Sequence, residues 1–255
     1  MRLPLILAIA ACPLPALAQG ADGNPDLIFS LRGGASVQPD YFGSSDYSLG
    51  PDVALRFGYL RLGGREFGSP DPDFEPRGFG LRGSFRYIGE RSEDDSPELE
   101  GLDDVDAAVE LGLGLGYTTQ NFKAFADVRY GVIGHESLVG ELGADLVARP
   151  NDRLTLTAGP RVLIGSDDYA STYFGVSASE AAQSTFGAYD AEGGIMSTGI
   201  ELGATYEVND NWAVEGAVTW DRLQNDAADS PIVEAGERDQ YGVRIGVTRR
   251  ITLDF

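Results

Sequence analysis

One cysteine and one histidine in 255 residues exclude a cysteine zinc cage, a disulfide framework and any site that needs two imidazoles. Basic residues are scarce too, 19 against 40 acidic, for a formal net charge of −21. Nothing here supplies the cationic field that phosphate recognition needs, so nucleic acid is excluded as a partner. Long hydrophobic runs are also missing. Past residue 18 no run of hydrophobic types exceeds three residues, as in Leu27-Ile28-Phe29 and Val162-Leu163-Ile164, and a transmembrane helix needs about 20. What is present is 42% hydrophobic residues and 34 glycines. That is enough apolar material for an ordered fold, with glycine at about twice its usual share.

The first residues read as a secretory leader. Arg2 is a short positive region, Leu3 to Ala11 an apolar stretch, and Ala16-Leu17-Ala18 a small-x-small cleavage site. The expected division is a signal peptide over 1–18 and one mature domain over 19–255. Ile9-Ala10-Ala11-Cys12 competes as a lipoprotein box, but its apolar stretch is short and Pro13-Leu14-Pro15-Ala16 is not a polar tether.

Strict alternation dominates the rest. Val109, Leu111, Leu113, Leu115 and Tyr117 take one parity and Glu110, Gly112, Gly114 and Gly116 the other, the pattern of a strand with one apolar face. Phe79, Leu81, Phe85 and Tyr87 alternate with Gly80, Arg82, Ser84 and Arg86. Parity alone allows a sandwich or a membrane barrel. Aromatic placement separates them. Trp212 and Trp220 end one segment on the same parity; eight residues at about 3.4 Å span roughly 27 Å, or about 19 Å of height after a 45° tilt. Together with Tyr130, Tyr206 and Tyr241, which also fall toward segment ends, they form the expected aromatic girdles.

Ten such segments are found, 27–37, 51–60, 77–89, 107–118, 121–132, 139–149, 154–165, 197–208, 212–222 and 240–255. An even count puts both termini on one side. The turns at 118–121, 150–153 and 209–211 then fall on that side, and the long connections 38–50, 90–106, 166–196 and 223–239 on the other, as in bacterial outer-membrane barrels. Two connections break the rule: 61–76 is long on the short side, and 134–138 is short on the long side. A further hairpin in 61–76 or 166–196 would make twelve strands. The reading is an all-β transmembrane antiparallel barrel of about ten strands, in the cell outer membrane of a Gram-negative envelope. The last segment stops on Phe255, which resembles the terminal strand by which such barrels are recognised for assembly, so membrane lipid and the barrel assembly machinery are expected partners. Arg249 falls on the apolar parity, pointing to a bulge or an interfacial depth there.

The connections carry a resemblance as well. Pro39-Asp40-Tyr41-Phe42-Gly43-Ser44-Ser45-Asp46-Tyr47 before Pro51, Leu99-Glu100-Gly101-Leu102-Asp103-Asp104, Tyr173-Phe174-Gly175-Val176 and Ser230-Pro231-Ile232 resemble, in order and spacing, the MipA/OmpV family (MltA-interacting protein). The resemblance implies an outer-membrane barrel that is a scaffold between a lytic murein transglycosylase and a murein synthase in some members, and porin-like or adhesive in others.

Three groups of residues are candidates for chemistry. His135 and Ser137, with Glu141 on the same parity, resemble the His-x-Ser plus Glu arrangement of outer-membrane lipid A deacylases. Against this stands a simpler reading, a polar hairpin tip followed by a lumen-facing carboxylate. Residues 90–106 hold nine acidic residues against Arg91, and Asp71, Asp73 and Glu75 alternate in 61–76; such loops suit solvation or weak divalent-ion condensation. Arg82, Arg86, Arg129, Arg161 and Arg244 share the inward parity with Glu110, Asp127, Glu141, Asp145, Glu201 and Glu215. In a small barrel these charges are expected to pair, because an unpaired charge in a narrow lumen is costly. The expectation is a non-catalytic scaffold with no cofactor or metal, and the alternative a narrow porin-like channel for small solutes.

Overall fold

The computed structural model describes residues 25–70 and 77–254. The expected leader, the acidic residues of 71–76 and Phe255 lie outside the described residues. Among the described residues eleven strands run in chain order: β1 (Leu27–Pro39), β2 (Tyr47–Leu62), β3 (Arg65–Gly68), β4 (Gly78–Ile88), β5 (Ala108–Thr118), β6 (Phe122–Ile133), β7 (Leu138–Asn151), β8 (Leu154–Gly165), β9 (Gly194–Asn209), β10 (Trp212–Leu223) and β11 (Asp239–Leu253). They form one antiparallel sheet in the order β3-β2-β1-β11-β10-β9-β8-β7-β6-β5-β4. The sheet curls until β2 and β4 approach each other, with no ladder between them among the described residues. β2 and β9 reach 16 residues, well beyond the about 9–11 that a membrane strand needs.

Sequence parity decides the two faces. Leu81, Phe79, Leu49 and Leu113 are 87%, 76%, 75% and 71% exposed on the outside, while Glu110, Arg129, Asp127 and Arg32 are buried on the inside. Water would not tolerate so large an apolar surface, and lipid requires it. Small residues give the inward charges room. A Cβ at Gly114 would run into the Asp127 carboxylate, and one at Gly112 into the backbone of Val128 and Arg129.

The ten expected segments all appear, with bounds shifted by a few residues, and the connection after β2 holds an eleventh strand. β3 pairs with the end of β2 from Tyr59↔Gly68 to Leu62↔Arg65, around Gly63 and Gly64 at φ 58 and 76, a turn that favours φ > 0 at both central residues. The other turns at this end are tied by side chains. Asn151 Oδ1 accepts from the N–H groups of Arg153 and Leu154, both at 3.0 Å. Asn209 Oδ1 does the same for Asn211 and Trp212, at 3.0 and 3.1 Å.

At the opposite end the long connections fold. That of residues 166–193 contains no further hairpin but two helices, α1 (Asp167–Phe174) and α2 (Ala178–Ala181), and residues 224–238 contain α3 (Asn225–Asp229) and α4 (Pro231–Glu234). Tyr169, Ala170, Tyr173 and Phe174 of α1 pack with Val139, Met196, Leu223, Ala227 and Val233 in one buried cluster; Tyr41, Leu99, Leu102, Val176, Phe186 and Ile232 make a second. The apolar core of this protein is therefore a cap at one mouth of the barrel.

Candidate functional site

The inward residues of the wall gather in three groups. Glu215 of β10 receives Arg32 of β1 at 3.0 Å, Arg56 of β2 at 2.6 Å and the Thr248 hydroxyl at 2.5 Å; Arg32 also bonds Asp52, with Nε 2.7 Å from Oδ2. Arg129 of β6 spans Glu110 at 2.7 Å and Glu141 at 2.8 Å and donates to Ser84 Oγ at 3.1 Å. Ser84 in turn donates to Asp127 at 2.9 Å, and Arg82 lies 3.4 Å from the other oxygen of that carboxylate. Arg161 of β8 meets Asp145 at 2.9 Å and Glu201 at 3.1 Å, and Arg244 reaches Glu201 at 3.2 Å. Arg82 and Arg161 both face the Phe125 ring, 4.1 and 5.4 Å from its centroid. Of the eleven lumen residues singled out in the sequence, ten enter such pairs.

Arg86 is the exception. Its Nη1 is buried without an acceptor, and its guanidinium sits 5.5 Å from the centre of Phe42, whose ring comes from the β1–β2 loop. The cap descends onto it. The Tyr169 phenol, pushed up to about 12 by burial against the opposing pull of Arg86, lies with Tyr173 across this mouth of the lumen; their ring centroids are 4.8 Å apart. Phe42 packs edge-on to Tyr173 at 5.1 Å.

His135 lies beneath the same two rings, 5.1 Å from Tyr169 and 5.6 Å from Tyr173. The sharp β6–β7 turn that delivers it holds Gly134 at φ 88 and Glu136 at φ 45. Gly131 leaves space for the imidazole, since a Cβ there would press within 2.5 to 2.8 Å of the ring. Ser137 Oγ lies 2.6 Å from His135 Nδ1, and His135 Nε2 is 3.3 Å from Glu110 Oε1. The carboxylate facing His135 is thus Glu110 of β5 rather than Glu141, which Arg129 holds. Parity along one strand cannot reveal that a neighbouring strand brings the nearer carboxylate. Ser137 is 2% exposed, so these relay-like contacts lie buried beneath the cap.

The residues expected in the girdles are all on the outer face. Tyr206 and Trp212 lie toward the turn end of the strands, and Tyr130, Trp220 and Tyr241 toward the cap. Arg249 stands opposite Trp212, its guanidinium 5.1 Å from that ring, so its charge sits at the level of an interfacial aromatic instead of in mid-bilayer. Arg32, Asp52 and Arg56 carry no sequence signal beyond inward parity, and Ser84 and Thr248 only their place on the polar side of an alternating segment.

A model of the family described as MltA-interacting protein MipA matches residues 31–251. The chain belongs to the MipA family. This MipA-family barrel is 29% identical to Outer membrane protein OmpV of Vibrio cholerae serotype O1, over 93% of this chain and 94% of that one. It is 28% identical to the MltA-interacting protein of Escherichia coli K12, over 54% of this chain and 55% of the relative. Among solved structures it is similar to an outer membrane channel of Pseudomonas putida F1, with TM-score 0.46, 13% identity and coverage of 92% and 100%. It is also similar to the NanC porin, with TM-score 0.40, 10% identity and coverage of 88% and 100%. The MipA-family chain is an outer-membrane β-barrel.

Proposed function

We propose that this barrel is a non-catalytic scaffold that links the outer membrane to murein-remodelling enzymes, a lytic murein transglycosylase and a murein synthase. The observation that carries the reading is the closed mouth: Tyr169 and Tyr173 of α1 lie over His135 and Arg86, above a lumen wall crowded with ion pairs. A barrel of this size has no wide channel to offer. The other end supplies a docking element instead. Short turns lie on the periplasmic side of such barrels and long connections outside, which puts the β2–β3 hairpin, with exposed Arg65, Glu66 and Phe67, in the periplasm. The E. coli relative is named for interaction with MltA, and docking is the activity that a projecting hairpin serves.

The test is retention of a purified lytic murein transglycosylase on the immobilised barrel. Arg65→Ser with Glu66→Ser should lose retention and keep heat-modifiable migration on gels, because exposed turns tolerate such changes. Planar bilayers containing the unaltered protein should stay silent. Large stable unitary conductance together with undiminished retention by the double variant would replace the scaffold by the channel.

A further inference from the structure

The cap holds an open cleft of about 620 Å³ between the β4–β5 connection and the α1–α2 segment, within the size range of small-molecule sites. At its base lies Arg91, 6% exposed. Arg91 Nη1 donates to the Tyr173 carbonyl at 3.1 Å. Its Nε is buried with no acceptor, and among the described residues no carboxylate forms an ion pair with the guanidinium. Burial pulls this guanidinium below its usual value and outweighs the opposing charges of Glu180 and Asp104 nearby, the mark of a cation that its surroundings do not fully compensate.

Two acidic residues lining the cleft are already committed, the first being Asp104, which accepts from the Glu93 N–H at 3.3 Å. Glu180 accepts from the Ser177 N–H at 2.7 Å and from the Asp103 N–H at 3.0 Å. At the rim, Asp103 and Asp190 are exposed, and among the described residues neither carboxylate has an ion-pair or hydrogen-bond partner. The cleft thus presents one buried, under-satisfied cation below and unneutralised carboxylates above. A simple anion would be repelled at the rim, and a simple cation would leave Arg91 unmet and be repelled by it. No group of three or more His, Cys, Asp or Glu residues among those described is arranged to hold a metal ion.

We propose that this cleft binds a small zwitterion, an amino acid or short peptide, with its carboxylate on the Arg91 guanidinium and its ammonium held by Asp103 and Asp190. The site lies on the capped end, away from the β2–β3 hairpin, and is independent of the scaffold reading.

The probe is trialanine, titrated by calorimetry into the full-length barrel in detergent micelles. Saturable one-to-one binding is expected, weakened about tenfold or more when the peptide is N-acetylated or C-amidated, since each change removes a charge-assisted contact. Arg91→Gln should abolish binding. Because that substitution disturbs a buried position, Asp103→Asn with Asp190→Asn is the second variant; both positions are exposed, and it should lose about tenfold while keeping heat-modifiable migration. No saturation by about 1 mM trialanine, equal binding of the blocked peptides, or full affinity in the Asp103→Asn/Asp190→Asn protein would each overturn the proposal.

Discussion

Arg32 and Glu215, 183 positions apart in the chain, meet at 3.0 Å inside the barrel. The pair crosses β11 and draws β1 toward β10, with side chains only 9% and 8% exposed. Glu215→Ala leaves Arg32 with Asp52 alone and Arg56 without an ion-pair partner among the described residues, and losing one partner of a buried ion pair costs about 3–5 kcal/mol. Arg222 and Asp239, at 2.8 Å but 50% and 32% exposed, make the control, where Arg222→Ala should cost about 0.2–1 kcal/mol. Urea unfolding in lipid vesicles, followed by tryptophan fluorescence, measures both, and equal losses would show that burial does not set their worth.

Ser137, His135 and Glu110 touch in series, yet the tyrosines of α1 cover them. A fluorophosphonate probe should leave the folded protein unlabelled, and Ser137→Ala should cost roughly 1 kcal/mol, the worth of one hydrogen bond. Mass-spectrometric detection of probe on Ser137 without denaturant would mean that the cap opens and the serine is nucleophilic.

Acid should loosen the cap through Glu180. Burial raises its pKa, but the hydrogen bonds from Ser177 and Asp103 and the charge of Arg91 outweigh burial and hold it below the ordinary carboxylate value. A carboxylate depressed in the folded state contributes stability that is fully present above its unfolded pKa and is lost as pH falls through the folded one. Limited proteolysis of the 166–193 connection should therefore quicken below about pH 4, and Glu180→Gln should flatten that dependence.

Sidedness can be read with thiols, since the chain has one cysteine, Cys12, in the expected leader. Arg65→Cys should resist an impermeant maleimide in whole cells, whereas Ser179→Cys, exposed on α2, should react. Ser96, in the acidic connection, is a poor reporter because it is buried. Labelling at residue 65 in intact cells would reverse the assignment of the two ends.

The strands are legible because lipid outside and charge inside impose opposite preferences on successive residues. Val109 to Tyr117 shows this in nine letters. β3 is not legible that way: Arg65-Glu66-Phe67-Gly68 is exposed throughout, so neither face imposes a parity, and only Gly63-Gly64 signals the turn. Arg32 lies beside Gly33 and Gly34, where missing side chains dilute the alternation. The cap escapes because its order is tertiary. Tyr169, Tyr173 and Phe174 share a helical face within an eight-residue helix, too short to be stable alone, and their partners come from other connections.

That origin fixes when the cap can form. Ser230 Oγ donates to the Phe174 carbonyl at 2.6 Å, and Gln240 accepts from the Gly43 N–H at 3.1 Å and donates to the Ser44 carbonyl at 3.2 Å. The latter contacts join residues 197 and 196 positions apart. Contacts of such separation carry a loop-closure cost until the intervening chain is ordered. The cap is therefore a late event in biogenesis, completed only after the first and last strands have met, and resistance of the surface connections to protease marks a chain whose assembly has finished.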